Sequence, residues 1–427
     1  MGSEAHPGKV NEKDERRLKM KQEILQKYAE LLVRCGLNVQ KGQDVMITAE
    51  LDQPEFVTMC VEECYRAGAR KVLLDWTHQK VQKLHYDYQE LETLSVLDKW
   101  QLEKWQWQAD NLPCKLYLES SNPDGLAETD QEKIAKARQE WFPLIKPFRD
   151  KMENRYQWCI AAVPGKEWAL KVFPELDENE AVEALWEAIL STSRALEGEP
   201  LVNWKEHNAE LKRRYDYLNS LKLESLHYES SNGTDLTVGL IDRGRFLGGG
   251  EETLGGNFFN PNIPSEEIFT TPMAGKAEGI VYATKPLSYQ GTLIENFWIR
   301  FKDGKAVESG AEKNADVLAK MIAMDEGAAM LGECALIPFD SPINNTGILF
   351  FNTLFDENAS CHLALGQGFS MLIEGFENMT VEECRKCGVN DSMIHVDFMI
   401  GTPDLSITGK TRNGEEVAIF KNGGWAF

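Results

Sequence analysis

The chain has 427 residues, with 46 Lys+Arg against 68 Asp+Glu, a formal charge of −22 and 42% hydrophobic residues. That length supplies two domains with substantial cores, and the acidic balance excludes nucleic acid and anionic membrane as partners, because phosphate surfaces attract cationic proteins. No apolar core of a signal peptide lies near the N-terminus, and no run reaches the roughly 18 apolar residues of a membrane span, so the expected location is cytoplasmic.

Residues 1–12 are polar with Gly and Pro and are expected to be a disordered tail. Apolar residues at Leu18, Ile24, Leu25, Tyr28, Leu31 and Leu32 have helical spacing that stops near Gly36. A β-like run over Asp44–Ala49, a helix from Pro54 to Gly68 and a strand over Lys71–Trp76 make a βαβ unit. The alternation continues with a helical region around 88–109, a strand at Lys115–Glu119, a helix over 130–153 and a strand at Gln157–Val163. This predicts an α/β N-terminal domain over 13–215, a parallel sheet flanked by helices. No Gly-rich fingerprint follows any of these strands, which speaks against a dinucleotide cofactor.

A helical stretch around 203–220 is the expected connector, and the character then changes. Leu223–Glu229 and Thr234–Leu240 flank Ser230-Ser231-Asn232-Gly233, and Phe297–Lys302 and Lys305–Glu308 flank Asp303-Gly304, two hairpin signals. Glycines crowd at Gly248–Gly250 and Gly255-Gly256, freeing the backbone for tight turns or close approach. Residues 216–427 are read as a β-rich α+β C-terminal domain carrying the candidate metal site. The nine cysteines, an odd number spread over the chain, fit reduced thiols better than a disulfide framework, and Cys384 and Cys387 form a lone C-x-x-C without a second pair.

Histidine is informative because there are only seven. His395 and Asp397 lie two apart in a β-like run, so both point to one face while Val396 and Phe398 point to the core. His362 falls in a polar stretch, Phe355 to Ala364, between apolar runs; it fits a metal ligand or a histidine bonded within a short helix capped by Asp356. Glu267 precedes Ile268, which is expected to anchor in the core while Glu267 faces the other way, and Glu333 sits at the mouth of an apolar strand. Glu266, pointing away from Glu267, fits a surface residue as well as a participant. Singly, each of these residues also fits an ordinary solvated or core position.

Five blocks change that weighting: NIPSEEIFTTP (262–272), KPLSYQGTLIENFWIRFKDGK (285–305), GECALIPFDSPI (332–343), FFNTLFDENASCHLALG (350–366) and IHVDFMIGTPDL (394–405). In this order they resemble the bacterial metallo-aminopeptidase family that includes aminopeptidases T and S, and the similarity extends over nearly the whole chain past its N-terminal tail. The resemblance implies metal ligands at Glu267, Glu333, His362, His395 and Asp397, a homodimer whose sites face an internal chamber, and short peptides as substrates. One position departs: the family places a tyrosine seven residues after the first ligand histidine, and here that position is Phe369. Three carboxylates and two imidazoles exceed what one catalytic zinc takes. They suit two divalent ions, Zn²⁺, Co²⁺ or Mn²⁺, sharing a bridging carboxylate. Two alternatives remain. His362, His395 and Asp397 alone would serve a mononuclear non-haem iron ring-cleaving dioxygenase, which has no need of Glu267 and Glu333. A catalytically weakened binding protein would rest on Phe369.

Overall fold

The computed structural model describes residues 12–427, so the expected tail lies outside the described residues apart from its last position. A helix over Glu12–Leu31 runs into a short wider turn at Leu32–Gly36, with Tyr28, Leu31 and Leu32 fully buried. Strands Asp44–Glu50, Lys71–Thr77, Cys114–Glu119 and Trp158–Ala162 pair in parallel, with Asp44–Glu50 between the second and third. Helices Pro54–Ala67 and Gln131–Met152 make crossovers as expected. The helical region expected around 88–109 is present as Leu91–Leu94 and Lys99–Asn111, preceded by a further helix at Gln79–Tyr88. Lys99–Asn111 starts at a capping box, Asp98 with Gln101, which resets the chain at a fresh N-terminus.

Two large antiparallel sheets, with two small two-stranded ones beside them, form the second half. The larger has eight strands and contains both expected hairpins, Leu223–Glu229 with Asp235–Leu240 and Trp298–Lys302 with Lys305–Gly310. The smaller, hereafter the site sheet, has the order His395–Met399, His362–Gly366, Leu331–Leu336, Ile268–Thr270, Leu247–Gly248. One face of the site sheet, with Ile268, Cys334, Leu336, Leu363, Leu365 and Phe398, joins a single apolar core with Leu226, Val238, Val281 and Phe301 of the larger sheet. Alternation then sends the remaining side chains to the opposite face.

The two halves share a segment. Asn262–Ile263 pairs in parallel with Trp158–Ala162 as the fifth strand of the first sheet, and after four residues the chain enters the site sheet at Ile268. Among the described residues, no helix is long and apolar enough to cross a membrane.

Candidate metal centre

The face of the site sheet turned away from the core carries the candidate ligands. Across three neighbouring strands the register aligns Glu333 with Ala364 and Ala364 with Asp397. Ala335 lies opposite His362, and Gly366 opposite His395. Ala364 and Gly366 are small, which leaves room above the sheet for the polar side chains, while Ala335 joins an apolar cluster with Phe269, Met371 and Leu372 beside them. Gly366 adopts φ +102°, and a Cβ there would lie 2.1 Å from the Ile394 carbonyl, so the ladder closes only around glycine.

The expected alternation at His395–Phe398 is observed: His395 Nε2 lies 3.3 Å from Asp397 Oδ1, while Phe398 is buried in the core. His395 Nε2 is 3.0 Å from Glu333 Oε2. His362 Nε2 is 3.4 Å from Glu267 Oε2 and 3.9 Å from Asp397 Oδ1. All five residues expected from the sequence therefore converge. Glu333 is the one misplaced in detail: it lies inside the strand Leu331–Leu336 and is buried, rather than solvated at its mouth. His362 begins a strand and is buried, and it is not bonded within a helix. His395 alone keeps appreciable access, with 27% of its side chain exposed.

The ring tautomers are held from behind. His395 Nδ1 donates to the Gln367 carbonyl at 2.8 Å, and His362 Nδ1 faces the Ser360 carbonyl at 3.4 Å, which leaves both Nε2 atoms turned into the cluster. Burial works against a charge on His362, but a hydrogen bond with Glu267 and the nearby charges of Asp397, Glu267 and Glu333 raise its pKa to about 9. Burial raises Glu333 above the usual carboxylate range, partly offset by its hydrogen bond with His395. Burial works to raise Asp397 too, yet the imidazoles of His395 and His362 and a hydrogen bond from Glu357 hold it low.

The sequence reading missed two further carboxylates. Glu357, in a short turn before the His362 strand, is pushed well above its ordinary pKa by burial and by Asp397, Glu267 and Glu333. Glu251, just past the Gly248–Gly250 turn, is raised to about 8 by burial and by the charges of Glu267 and Glu333. Glu357 stands in the DENASCH run, whose density of polar groups was its only signal; Glu251 is brought in by the glycine turn. Phe369 packs its ring 5.0 Å from the His395 ring and 5.6 Å from Phe269.

This donor set fits divalent cations. Carboxylates outnumber imidazoles, and among the described residues no lysine or arginine bridges to any of the five. Asp397 Oδ1 is buried without a hydrogen-bond partner, an expense that a cation would remove.

Buried oxygen and imidazole donors gathered on one sheet face define a candidate metal site, and comparison with known proteins supplies the class. Residues 21–425 match the family described as thermophilic metalloprotease (M29). The chain belongs to that family and is a peptidase, and the resemblance drawn from the five blocks holds. It is 40% identical to aminopeptidase AmpS of Bacillus subtilis over 404 residues, covering 94% of this chain and 98% of that protein. Aminopeptidase 2 of Geobacillus stearothermophilus is 39% identical, with the same coverage of each chain. The structure of wild-type AmpT from Thermus thermophilus superposes with a TM-score of 0.86 at 37% identity, covering 95% of this chain and 100% of that one. The mixed architecture, one parallel sheet and a separate antiparallel β-rich region, is thus the expected one. A metalloprotease family implies a divalent metal cofactor and does not favour an iron dioxygenase.

Proposed function

We propose that this chain is an aminopeptidase that removes N-terminal residues from short peptides, with two divalent ions held by Glu267, Glu333, His362, His395 and Asp397. The carrying observation is a pair of overlapping donor groups, Glu267–Glu333–His362 and Glu333–His395–Asp397, each with ligand atoms within 4.8 Å of one another. Glu333 is common to both, as a bridging carboxylate must be. Mixed oxygen and nitrogen donors suit Zn²⁺, Co²⁺ or Mn²⁺. When bound, such a pair supplies an activated water and polarises the scissile carbonyl.

The side chains around it have their own tasks. The Gln367 carbonyl holds the Nδ1 proton of His395, so Nε2 offers its lone pair. Glu357, which burial and the neighbouring carboxylates push well above its ordinary pKa, stands ready as a proton-bearing acid near Asp397. The exposed edge of His395 marks the side from which a peptide arrives, and Phe369 beside it supplies an apolar wall where the family resemblance implies a tyrosine. A cytoplasmic homodimer, as the resemblance implies, belongs to the same reading.

The test is to strip the protein of metal, reload it with Zn²⁺, Co²⁺ or Mn²⁺, and assay aminoacyl chromogenic substrates beside an N-acetylated control. Cleavage of free-amine substrates only, restored by metal, is expected; equal cleavage of the blocked substrate overturns the aminopeptidase assignment.

A further inference from the structure

The four residues between the two sheets, 264–267, end in the candidate ligand Glu267 and belong to no strand. Their position is set by side chains reaching in from three directions. His207, on the helix Pro200–Leu221, donates Nε2 to the Ser265 carbonyl at 2.7 Å. Asn358, from the turn that also carries Glu357, accepts the Glu266 N–H at 2.8 Å. Arg194, just past the helix Glu178–Thr192, forks onto the Glu266 carboxylate with Nη2 on Oε2 at 2.8 Å and Nη1 on Oε1. Glu266 is only 8% exposed, so of the two readings open in the sequence the surface one fails: the side chain is buried against Arg194. On the opposite side, Gly248 lies against the Glu267 carbonyl so closely that a Cβ would stand 2.5 Å away.

Arg194 is itself held in an unfavourable conformation. Its φ is +56°, the left-handed region that glycine or asparagine ordinarily supplies after a helix. The Arg194 N–H bonds back to the Ser191 carbonyl, and its own carbonyl accepts from Asn203 Nδ2 at 3.0 Å, so the turn is fixed. A simple helix stop would be better served by glycine. What arginine adds is a planar two-point grip on a carboxylate, which lysine cannot reproduce.

We propose that Arg194 is a positioning residue for the metal centre. By holding Glu266 in the first half's frame, it keeps the neighbouring Glu267 turned the other way, toward Glu333 and His362. Consecutive side chains in extended backbone point oppositely, so fixing one orients the next. The inference rests on the reading of Glu267 as a metal ligand.

The test measures divalent-ion affinity by competition with a chromogenic chelator, using Zn²⁺ as probe, alongside melting of the metal-free protein. Three variants serve: Arg194→Lys, Glu266→Gln, and the double Arg194→Asn with Glu266→Gln. The double variant leaves no buried unpaired charge and gives the left-handed position a residue suited to it. It is expected to melt no lower than wild type when metal-free, yet to bind Zn²⁺ about tenfold more weakly, the low end for loss of a ligand-orienting partner. Arg194→Lys, which keeps the charge and loses the fork, is expected to weaken binding in the same direction. Wild-type affinity in the double variant overturns the positioning role while leaving the metal site intact. Failure of wild type to bind Zn²⁺ overturns both.

Discussion

Buried carboxylates occur in both halves of the molecule, and they are treated differently. In the first half, Asp44 has a 4% exposed side chain and takes two bonds from Arg70, at 2.9 and 2.6 Å. Glu63, equally buried, is met by Arg34 at 2.7 Å and Arg66 at 3.6 Å. In the site sheet, Glu333, Asp397 and Glu267 have side chains 5%, 7% and 10% exposed, and their near partners are two imidazoles and one another. A carboxylate answered by arginine is a structural pair whose charge is settled at folding. A carboxylate gathered with others and left short of positive charge is prepared for a cation that arrives later.

The strongest way to break this contrast is to neutralise one member on each side. Glu333→Ala is expected to lower peptidase activity at least ~1000-fold, a fraction of the 10⁶ or more that enzymes supply, with circular dichroism unchanged. Without metal, Glu333→Gln relieves repulsion among buried carboxylates and should raise the melting temperature. Glu63→Gln should lower it, with a stability loss of about 1 kcal/mol because its arginine partners are partly exposed. If both substitutions lower stability alike, the distinction between the two kinds of carboxylate fails.

A second prediction concerns a buried cation of the first half, the one among the described residues that lacks a carboxylate bond. Lys115 is 5% exposed, with its ammonium 5.3 Å from the Trp105 ring centre and 4.8 Å from that of Tyr156. Burial, reinforced by Arg149 and Lys104, lowers its pKa from 10.5 to about 8. A depressed folded-state pKa contributes stability above the unfolded value and loses it as pH falls through the folded one. Lys115→Met should therefore stabilise the protein at pH 7, by about 2 kcal/mol after allowance for the lost ring contacts, and the gain should fade between pH 8 and 10.5. Denaturant melts across that range check the sign.

The smallest expected effect is Phe369→Tyr, which adds a hydroxyl near His395. An increase in kcat of about tenfold is expected, below the 10²–10³ of a well-placed oxyanion donor. An unchanged kcat would mean that this wall serves packing alone.

How far the sequence was legible follows from the range of the interactions involved. The hairpins and the His395–Asp397 pair obey a period of two and were visible locally. The helical character around 88–109 was visible too, but not the division at Asp98, because a cap is a single-residue signal inside an apolar, Trp-rich run. Glu251 and Arg194 had no local signature. The Arg194–Glu266 contact spans 72 positions, and the left-handed backbone at Arg194 follows no rule of residue type. Glu357 stood in a block already quoted, but its contact with Asp397 exists only after strand pairing.

The strand shared by the two sheets has a practical consequence for dissecting the molecule. A cut in the helix Pro200–Leu221, near residue 215, is expected not to release two self-sufficient pieces. The upstream fragment would lose Asn262–Ile263 and present the unpaired edge of Trp158–Ala162, an invitation to intermolecular pairing. The downstream fragment would carry an orphaned arm with an exposed Ile263. Co-expression of the two pieces, rather than purification of either, is the form in which a split version would be recovered.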